Sequence, residues 1–248
     1  MLALKIIGII IVAYLFGNLS ISKFVANKRK VNLSTSDSGN PGATNMLRNA
    51  GVVPAITILL FDAVKCIIPC IAAFFLLGGN VIWHHGIFIK VTPQIADIGL
   101  YVAATSSVLG HMYPVFRKFK GGKGVACGFG LAIVTQPVLT AILFSIYLVI
   151  LAVIKIGSVG SLFAAFSFII SDCVLLLVEG YYISFALALA ILILIVWAHR
   201  SNIKRLIHRK ENMVDLNKSV QMDKDYYSNV KKEKAEKINK DHEDHDSN

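Results

Sequence analysis

Seven apolar stretches limit what this chain can fold into: 2–22, 52–77, 95–112, 125–135, 137–154, 162–178 and 181–198. A helix needs roughly 20 apolar residues to cross a hydrocarbon layer about 30 Å thick, and most of these stretches meet that requirement. The fourth is too short to cross alone. Gln136-Pro137, a polar and helix-breaking pair, separates it from the fifth, so two helices are expected where a hydropathy window would merge them. Composition agrees: 55% of the 248 residues are hydrophobic, 16% are charged and the mean hydropathy is +0.64. A water-soluble domain carries nearer a quarter charged residues, roughly. The expected fold class is therefore all-α, a polytopic membrane protein of about seven transmembrane helices.

The formal charge of +10 is unevenly placed. Residues 1–211 hold 18 Lys and Arg against 6 Asp and Glu, and residues 212–248 hold 7 against 9. The excess sits in loops between apolar runs, which weakens a nucleic-acid reading, since that needs a basic face on a solvated domain. Lys23, Lys28, Arg29, Lys30 and Arg48 follow span 1, and Arg117, Lys118, Lys120 and Lys123 follow span 3. Lys155 follows span 5, and Arg200, Lys204, Arg205, Arg209 and Lys210 follow span 7, whereas the alternate loops offer Lys90 alone. The positive-inside rule then puts the amino terminus outside and the carboxyl terminus in the cytoplasm. The division expected is a membrane domain over 1–211 and a charged, disordered cytoplasmic tail over 212–248, whose composition cannot bury enough surface to fold alone. Its closing His/Asp tract reads as solvated in preference to metal-binding. Cys66, Cys70, Cys127 and Cys173 lack zinc-type spacing and read as small core residues. No removable signal peptide is marked, so the first run reads as a retained helix.

Three polar segments carry possible chemistry. In Ser38-Gly39-Asn40-Pro41-Gly42-Ala43-Thr44-Asn45-Met46-Leu47-Arg48, two glycines free the backbone to aim N–H groups at one point, and small polar side chains and an arginine add donors. A helix beginning at Ala43 or Thr44 would strengthen such a phosphate cradle; an ordinary Gly/Asn/Ser turn has the same composition. The segment from His111 to Gly124 holds Lys120, Gly121, Gly122 and Lys123, where an anion can approach both ammonium and backbone. Interfacial charge with aromatic anchors is the plainer reading of it. Gly124 follows the lysine where a nucleotide-binding P-loop needs Ser or Thr, which disfavours nucleotide hydrolysis. In the third segment His199, Asn202 and Arg205 are spaced i, i+3, i+6 and share one broad helical face; a basic juxtamembrane helix attracting anionic lipid would look alike. Asp62 and Lys65, at i, i+3 within span 2, read as either functional or mutually neutralising. Taken together, three glycine-bearing or cationic segments on one membrane side favour a shared cytoplasmic phosphate site.

These residues resemble the PlsY family of integral-membrane, acyl-phosphate-dependent glycerol-3-phosphate acyltransferases, over roughly residues 10–211. Residues 38–48, 111–126 and 199–211 are similar to its three signatures in order. Phe61-Asp62-Ala63-Val64-Lys65 resembles its Asp-x-x-Lys element, and residues 155–161 its serine-bearing turn. The resemblance implies an enzyme of the bacterial inner membrane whose active site faces the cytoplasm. It implies transfer of a fatty acyl group from acyl phosphate to the 1-hydroxyl of sn-glycerol 3-phosphate, giving lysophosphatidic acid and phosphate, with no metal, nucleotide or other cofactor. By the same resemblance Ser38, Gly39, Asn40, Gly42, Thr44, Asn45 and Arg48 bind one phosphate, Lys120, Gly121, Gly122 and Lys123 the other, and Arg205 assists. Ser158, His199, Asn202, Lys123 and His111 line the reacting centre, with His199, His111 or a substrate phosphate open as proton acceptor. Partners are the two substrates and membrane lipids, not nucleic acid; the sequence does not fix the oligomeric state. Departures from the family pattern are Asn32-Leu33-Ser34, Asp37, Cys66, and Arg209-Lys210 where the family has Gly-Thr; they bear on substrate affinity and activity more than on the fold. The other large acyltransferase class pairs a histidine with an aspartate five positions on, and no histidine here has that partner. A transporter of phosphorylated solutes fits less well, because its site would lie near the midplane between repeated halves; an inactive membrane partner descended from the enzyme is the third reading.

Overall fold

The computed structural model describes residues 1–32, 40–84, 87–91, 93–178 and 180–246. Ser38, Gly39, Asp37, His85 and Glu179 lie outside the described residues. A helix occupies each of the seven apolar stretches: α1 (Leu2–Asn18), α4 (Val52–Leu76), α5 (Gln94–Met112), α6 (Val125–Thr135), α7 (Pro137–Ile154), α8 (Gly157–Val178) and α9 (Tyr182–Ala198). Between them lie α2 (Ser22–Lys28) and α3 (Ala43–Ala50), and α10 (Arg200–Ile207) and α11 (Leu216–Asp246) follow α9. Among the described residues four helical stretches are long and apolar enough to cross a membrane, Leu2–Lys28 (α1 with α2), α4, α7 and α8, or five if α9 and α10, bent by 54°, form one broken span. Pro137 starts α7 at its first turn, where a missing N–H costs nothing, which is why α6 and α7 separate at Gln136.

Three features differ from the sequence expectation. An antiparallel hairpin, β1 (Asn80–His84) with β2 (Ile87–Val91), interrupts the all-α pattern, with Asn80 opposite Val91 and Ile82 opposite Ile89. α8 begins at Gly157, five residues before the expected start, so that Ser158 sits in its first turn. The tail, expected to be disordered, is helical over Leu216–Asp246, and its beginning docks on α3 and α4.

The packing has two parts. α1, α4, α5, α6, α8 and α9 enclose a core that includes Ala13, Cys66, Leu100, Tyr101, Leu131, Ile169, Ile191 and Ile195. A smaller core under α3 joins Met46, Leu47, Ala50, Ile58, Leu151 and Val214. α1 is tied to α5 by the Ser107 hydroxyl donating to Ala13 O at 3.2 Å, and to the following loop by the Tyr14 hydroxyl donating to Tyr113 O at 2.8 Å. All four cysteines are free thiols; Cys66, Cys70 and Cys127 are fully buried. Asp172 accepts bonds from the Tyr101 hydroxyl and from Gln136 Nε2 at 2.8 Å, so this buried carboxylate is satisfied inside the bundle. The outward faces of α1, α4, α7 and α8 carry exposed large apolar side chains such as Ile11, Ile68, Val149 and Ile170, the pattern of helices that meet lipid.

Candidate active site

A cavity of ≈ 490 Å³ is bounded by α3, α4, α6, α7, α8 and the bend between α9 and α10. Its polar wall comes from helix ends: Asn40, Thr44, Asn45 and Arg48 around α3, Lys123 before α6, Ser158 at the start of α8, and His199, Asn202 and Glu211 past α9. Its apolar wall comes from helix interiors, including Leu59 and Leu60 of α4, Phe129 of α6, Leu143 and Phe144 of α7, and Phe168 and Ile169 of α8. From Ser158 to Ile169 a helix rises about 16 Å. One end of the cavity therefore suits an anion and the rest a hydrocarbon chain.

The polar wall is a connected network. Glu211 Oε1 accepts from Asn202 Nδ2 at 2.6 Å and from the Ser158 hydroxyl at 3.2 Å, and Oε2 accepts from Arg205 Nε at 2.7 Å. Asn202 in turn accepts at Oδ1 from the Lys123 ammonium. Burial alone would raise the Glu211 carboxyl, but the bonds from Arg205, Asn202 and Ser158 outweigh it and hold the group below its usual range. Burial lowers the Lys123 ammonium to about 8; Glu211 opposes the shift, and Arg205 and Arg48 add to it.

His199 owes its place to the bend. Its backbone N–H is shared between Ile195 O at 3.1 Å and Val196 O at 3.0 Å, which ends α9 and drops the ring into the bundle, 2% exposed. Ring Nδ1 lies 2.8 Å from Ile195 O. A carbonyl only accepts, so Nδ1 carries the proton and Nε2 keeps its lone pair. Burial first, then Lys123, brings this imidazole down to about 4.

Beside this network a second ionic cluster, of which Asp62 and His111 reach the cavity wall, is closed on itself. Lys65 Nζ is 2.7 Å from Asp62 Oδ1 and donates to His111 Nδ1 at 2.8 Å and to Leu19 O at 2.8 Å. All three ammonium protons are thereby used. His111 Nδ1 is the accepting nitrogen, and its Nε2 faces the glycine loop. A Cβ at Gly122 would stand 2.0 Å from that Nε2, and Gly122 N–H donates to His111 O at 3.1 Å. Only a glycine lets the loop lie against the ring and aim Lys123 at the cavity.

Of the residues singled out from sequence, Asn40, Gly42, Thr44, Asn45, Arg48, His111, Lys123, Ser158, His199 and Asn202 line the cavity. α3 does begin at Ala43, with Gly42 as its N-cap. Asn45 spends its amide internally, Nδ2 donating to Asn40 O at 2.8 Å and Oδ1 accepting from Asn49 at 3.1 Å, so it shapes the loop. Lys120 is exposed and absent from the cavity wall; Gly121, half-buried, and Gly122, buried, are absent from that wall too. Arg205 acts on the site through Glu211. Glu211, the last residue of the third signature, is a site residue that spacing along the chain does not reveal, because its three partners come from two segments, Ser158 at the start of α8 and Asn202 and Arg205 on α10. Among the described residues no three His, Cys, Asp or Glu side chains gather where they could hold a metal ion.

Fold and site together define a helical membrane protein that brings a cationic, hydrogen-bonding pocket to the mouth of an apolar cleft. The family model described as glycerol-3-phosphate acyltransferase matches residues 7–209. The glycerol-3-phosphate acyltransferase of Shouchella clausii is 35% identical over 214 residues, spanning 84% of this chain and 95% of that protein. That of Aquifex aeolicus is 34% identical over 211 residues, spanning 84% and 99%. Among solved structures, PlsY, an integral membrane glycerol 3-phosphate acyltransferase, in its glycerol 3-phosphate form superposes with a TM-score of 0.70 at 32% identity, covering 86% of this chain and 97% of that one. Its lysophosphatidic acid form gives 0.68 at 31% identity, covering 87% and 98%. The chain belongs to the glycerol-3-phosphate acyltransferase family.

Proposed function

We propose that this protein transfers a fatty acyl group from acyl phosphate to the 1-hydroxyl of sn-glycerol 3-phosphate, releasing lysophosphatidic acid and inorganic phosphate. The observation that carries this reading is the joining, in one cavity, of the Arg48, Lys123, Asn202 and Ser158 wall to a cleft lined by Phe129, Leu143, Phe144 and Phe168. Both substrates are phosphates and one bears a chain. Arg48 and the α3 amino end take one phosphate, Lys123 the other, and the acyl chain lies along α6, α7 and α8.

An acyl phosphate is already activated, so the protein supplies alignment, charge stabilisation and a proton acceptor. The 1-hydroxyl oxygen bonds to the acyl carbonyl carbon while its proton passes to His199 Nε2, the lone pair left free by the Nδ1 contact with Ile195 O. The tetrahedral centre then collapses, the bond from carbon to the phosphate oxygen breaks, and phosphate leaves with that electron pair beside Lys123. The imidazolium returns its proton to the departing phosphate or to solvent. His111 is assigned a positioning part, because Lys65 occupies its accepting nitrogen.

Seven spans with the amino terminus outside and the carboxyl terminus in the cytoplasm of a bacterium are part of the proposal. Support comes from the gathering of Asn40, Arg48, Lys123, Ser158, His199, Asn202 and Glu211 on one cavity, which agrees with an odd number of crossings and the basic loops. The test is purified protein given glycerol 3-phosphate with acyl phosphate, acyl-CoA or acyl carrier protein in parallel. Lysophosphatidate and stoichiometric phosphate from the first donor are expected. Absence of product from folded protein, or equal use of thioesters, overturns the reading.

A further inference from the structure

The segment after residue 209 lies beyond the family match, yet the start of α11 grips the cavity's phosphate helix from behind. α3 has eight residues, too few to hold a helix by backbone bonds alone. Val214, fully buried, packs with Met46, Leu47 and Ala50 of α3. The Ser219 hydroxyl donates to Leu47 O at 2.8 Å. Asp223 Oδ2 accepts from the N–H groups of Val52 at 2.8 Å and Val53 at 3.0 Å, two of the donors that the start of α4 leaves without helical partners. Its other oxygen stands 2.8 Å from Arg29 Nη2, whose guanidinium lies 3.9 Å over the Tyr226 ring. Val214 N–H donates to Lys155 O at 2.6 Å, in the turn before Ser158.

Gly51, where α3 passes into α4, sits at φ +106°, and a Cβ there would be 2.7 Å from Asp223 Oδ1. The carboxylate thus packs directly on the joint that sets the direction of α3. Neither Asp223 nor Arg29 lines the cavity; any effect on the reaction passes through α3.

We infer that Asp223 and Arg29 form a positioning clamp, supplied in part by a segment outside the family match, that fixes α3 so that Thr44 and Arg48 meet a substrate phosphate. The inference rests on the proposed assignment of α3 to phosphate binding. Full-length protein carrying Asp223→Ala, Asp223→Asn or Arg48→Ala is assayed for kcat and for KM with glycerol 3-phosphate and with acyl phosphate separately. Asp223→Ala is expected to raise the KM of one substrate about fivefold to twentyfold, the ratio that corresponds to loss of a helix cap. That substrate should be the one affected by Arg48→Ala, while kcat and the other KM stay within about threefold. Asp223→Asn, which keeps an acceptor and loses the charge, should fall between. If Asp223→Ala does not yield folded protein, Asp223→Asn carries the test. Unchanged KM values, or KM of both substrates and kcat moving together, overturn the clamp. Should Arg48→Ala leave both KM values unchanged, the phosphate assignment fails first, and the clamp, which rests on it, falls with it.

Discussion

The two ionic clusters near the cavity differ in what they leave undone. In the Asp62, Lys65 and His111 group every ammonium proton has a partner, and the lysine is 2% exposed. In the Lys123, Asn202, Glu211 and Arg205 group the carboxylate accepts three bonds, whereas among the described residues Lys123 makes one bond, to Asn202, and lines the cavity. The first holds the loop that the second uses. A closed cluster serves as scaffold; an open one has charge left for a ligand.

Breaking the closed cluster has the largest expected effect. Asp62→Ala leaves Lys65 buried without its counter-ion, a change that costs about 3–5 kcal/mol, and the measurement is the yield and thermal midpoint of protein in detergent. Asp62→Asn combined with Lys65→Met removes both charges and should recover much of that loss. Next comes Lys123→Ala, expected to lower kcat about 10²- to 10³-fold, the range seen when one transition-state donor is removed, with yield near normal because the side chain packs little. Similar loss of stability in both variants would erase the distinction between the clusters.

Their contrast extends to pH. His199, lowered to about 4, is neutral and able to accept a proton above that value. Lys123, lowered to about 8, is charged below that value. The kcat/KM profile should therefore rise through about pH 4 and fall through about pH 8. Lys123→Arg keeps its charge at high pH and should remove the alkaline limb; persistence of that limb would assign it to another group.

Legibility from sequence follows the physics of each region. The apolar helices were readable because lipid demands long apolar runs, and Gln136-Pro137 marked the break between α6 and α7. The cavity wall from Asn40 to Arg48 and around Lys123 was readable only from the segments taken together, because each alone also fits an ordinary turn or interfacial charge. The hairpin at Asn80–Val91 was not, since five-residue strands carry little periodic signal. α11 was missed because its docking rests on Val214, Ser219 and Asp223, three side chains in a polar sequence whose average points to disorder. Glu211 was undervalued for the same kind of reason: Ser158, Asn202 and Arg205 converge on it only after folding. Cys66, by contrast, behaves as its composition implied. Cys66→Ala should cost about 1 kcal/mol, the order of one buried group, and leave kcat within about twofold.

The smallest effect concerns Arg209, which follows α10 and precedes Glu211. Its φ of +55° is left-handed, a conformation that costs a non-glycine residue roughly 1–2 kcal/mol. The family pattern has glycine at that place, where the turn costs nothing in the folded state. Lys210 N–H donates to Arg205 O at 2.8 Å and Arg209 N–H to Leu206 O at 3.0 Å, so the turn is held by backbone bonds and not by the arginine side chain, which is exposed. Arg209→Gly relieves the strain but frees the unfolded chain, which offsets about 0.4–1 kcal/mol. The net gain should be under about 1 kcal/mol, a small upward shift in thermal midpoint, with kcat unchanged because Glu211 keeps its three partners. A fall in kcat would show that the arginine charge, and not the turn it occupies, contributes to the open cluster.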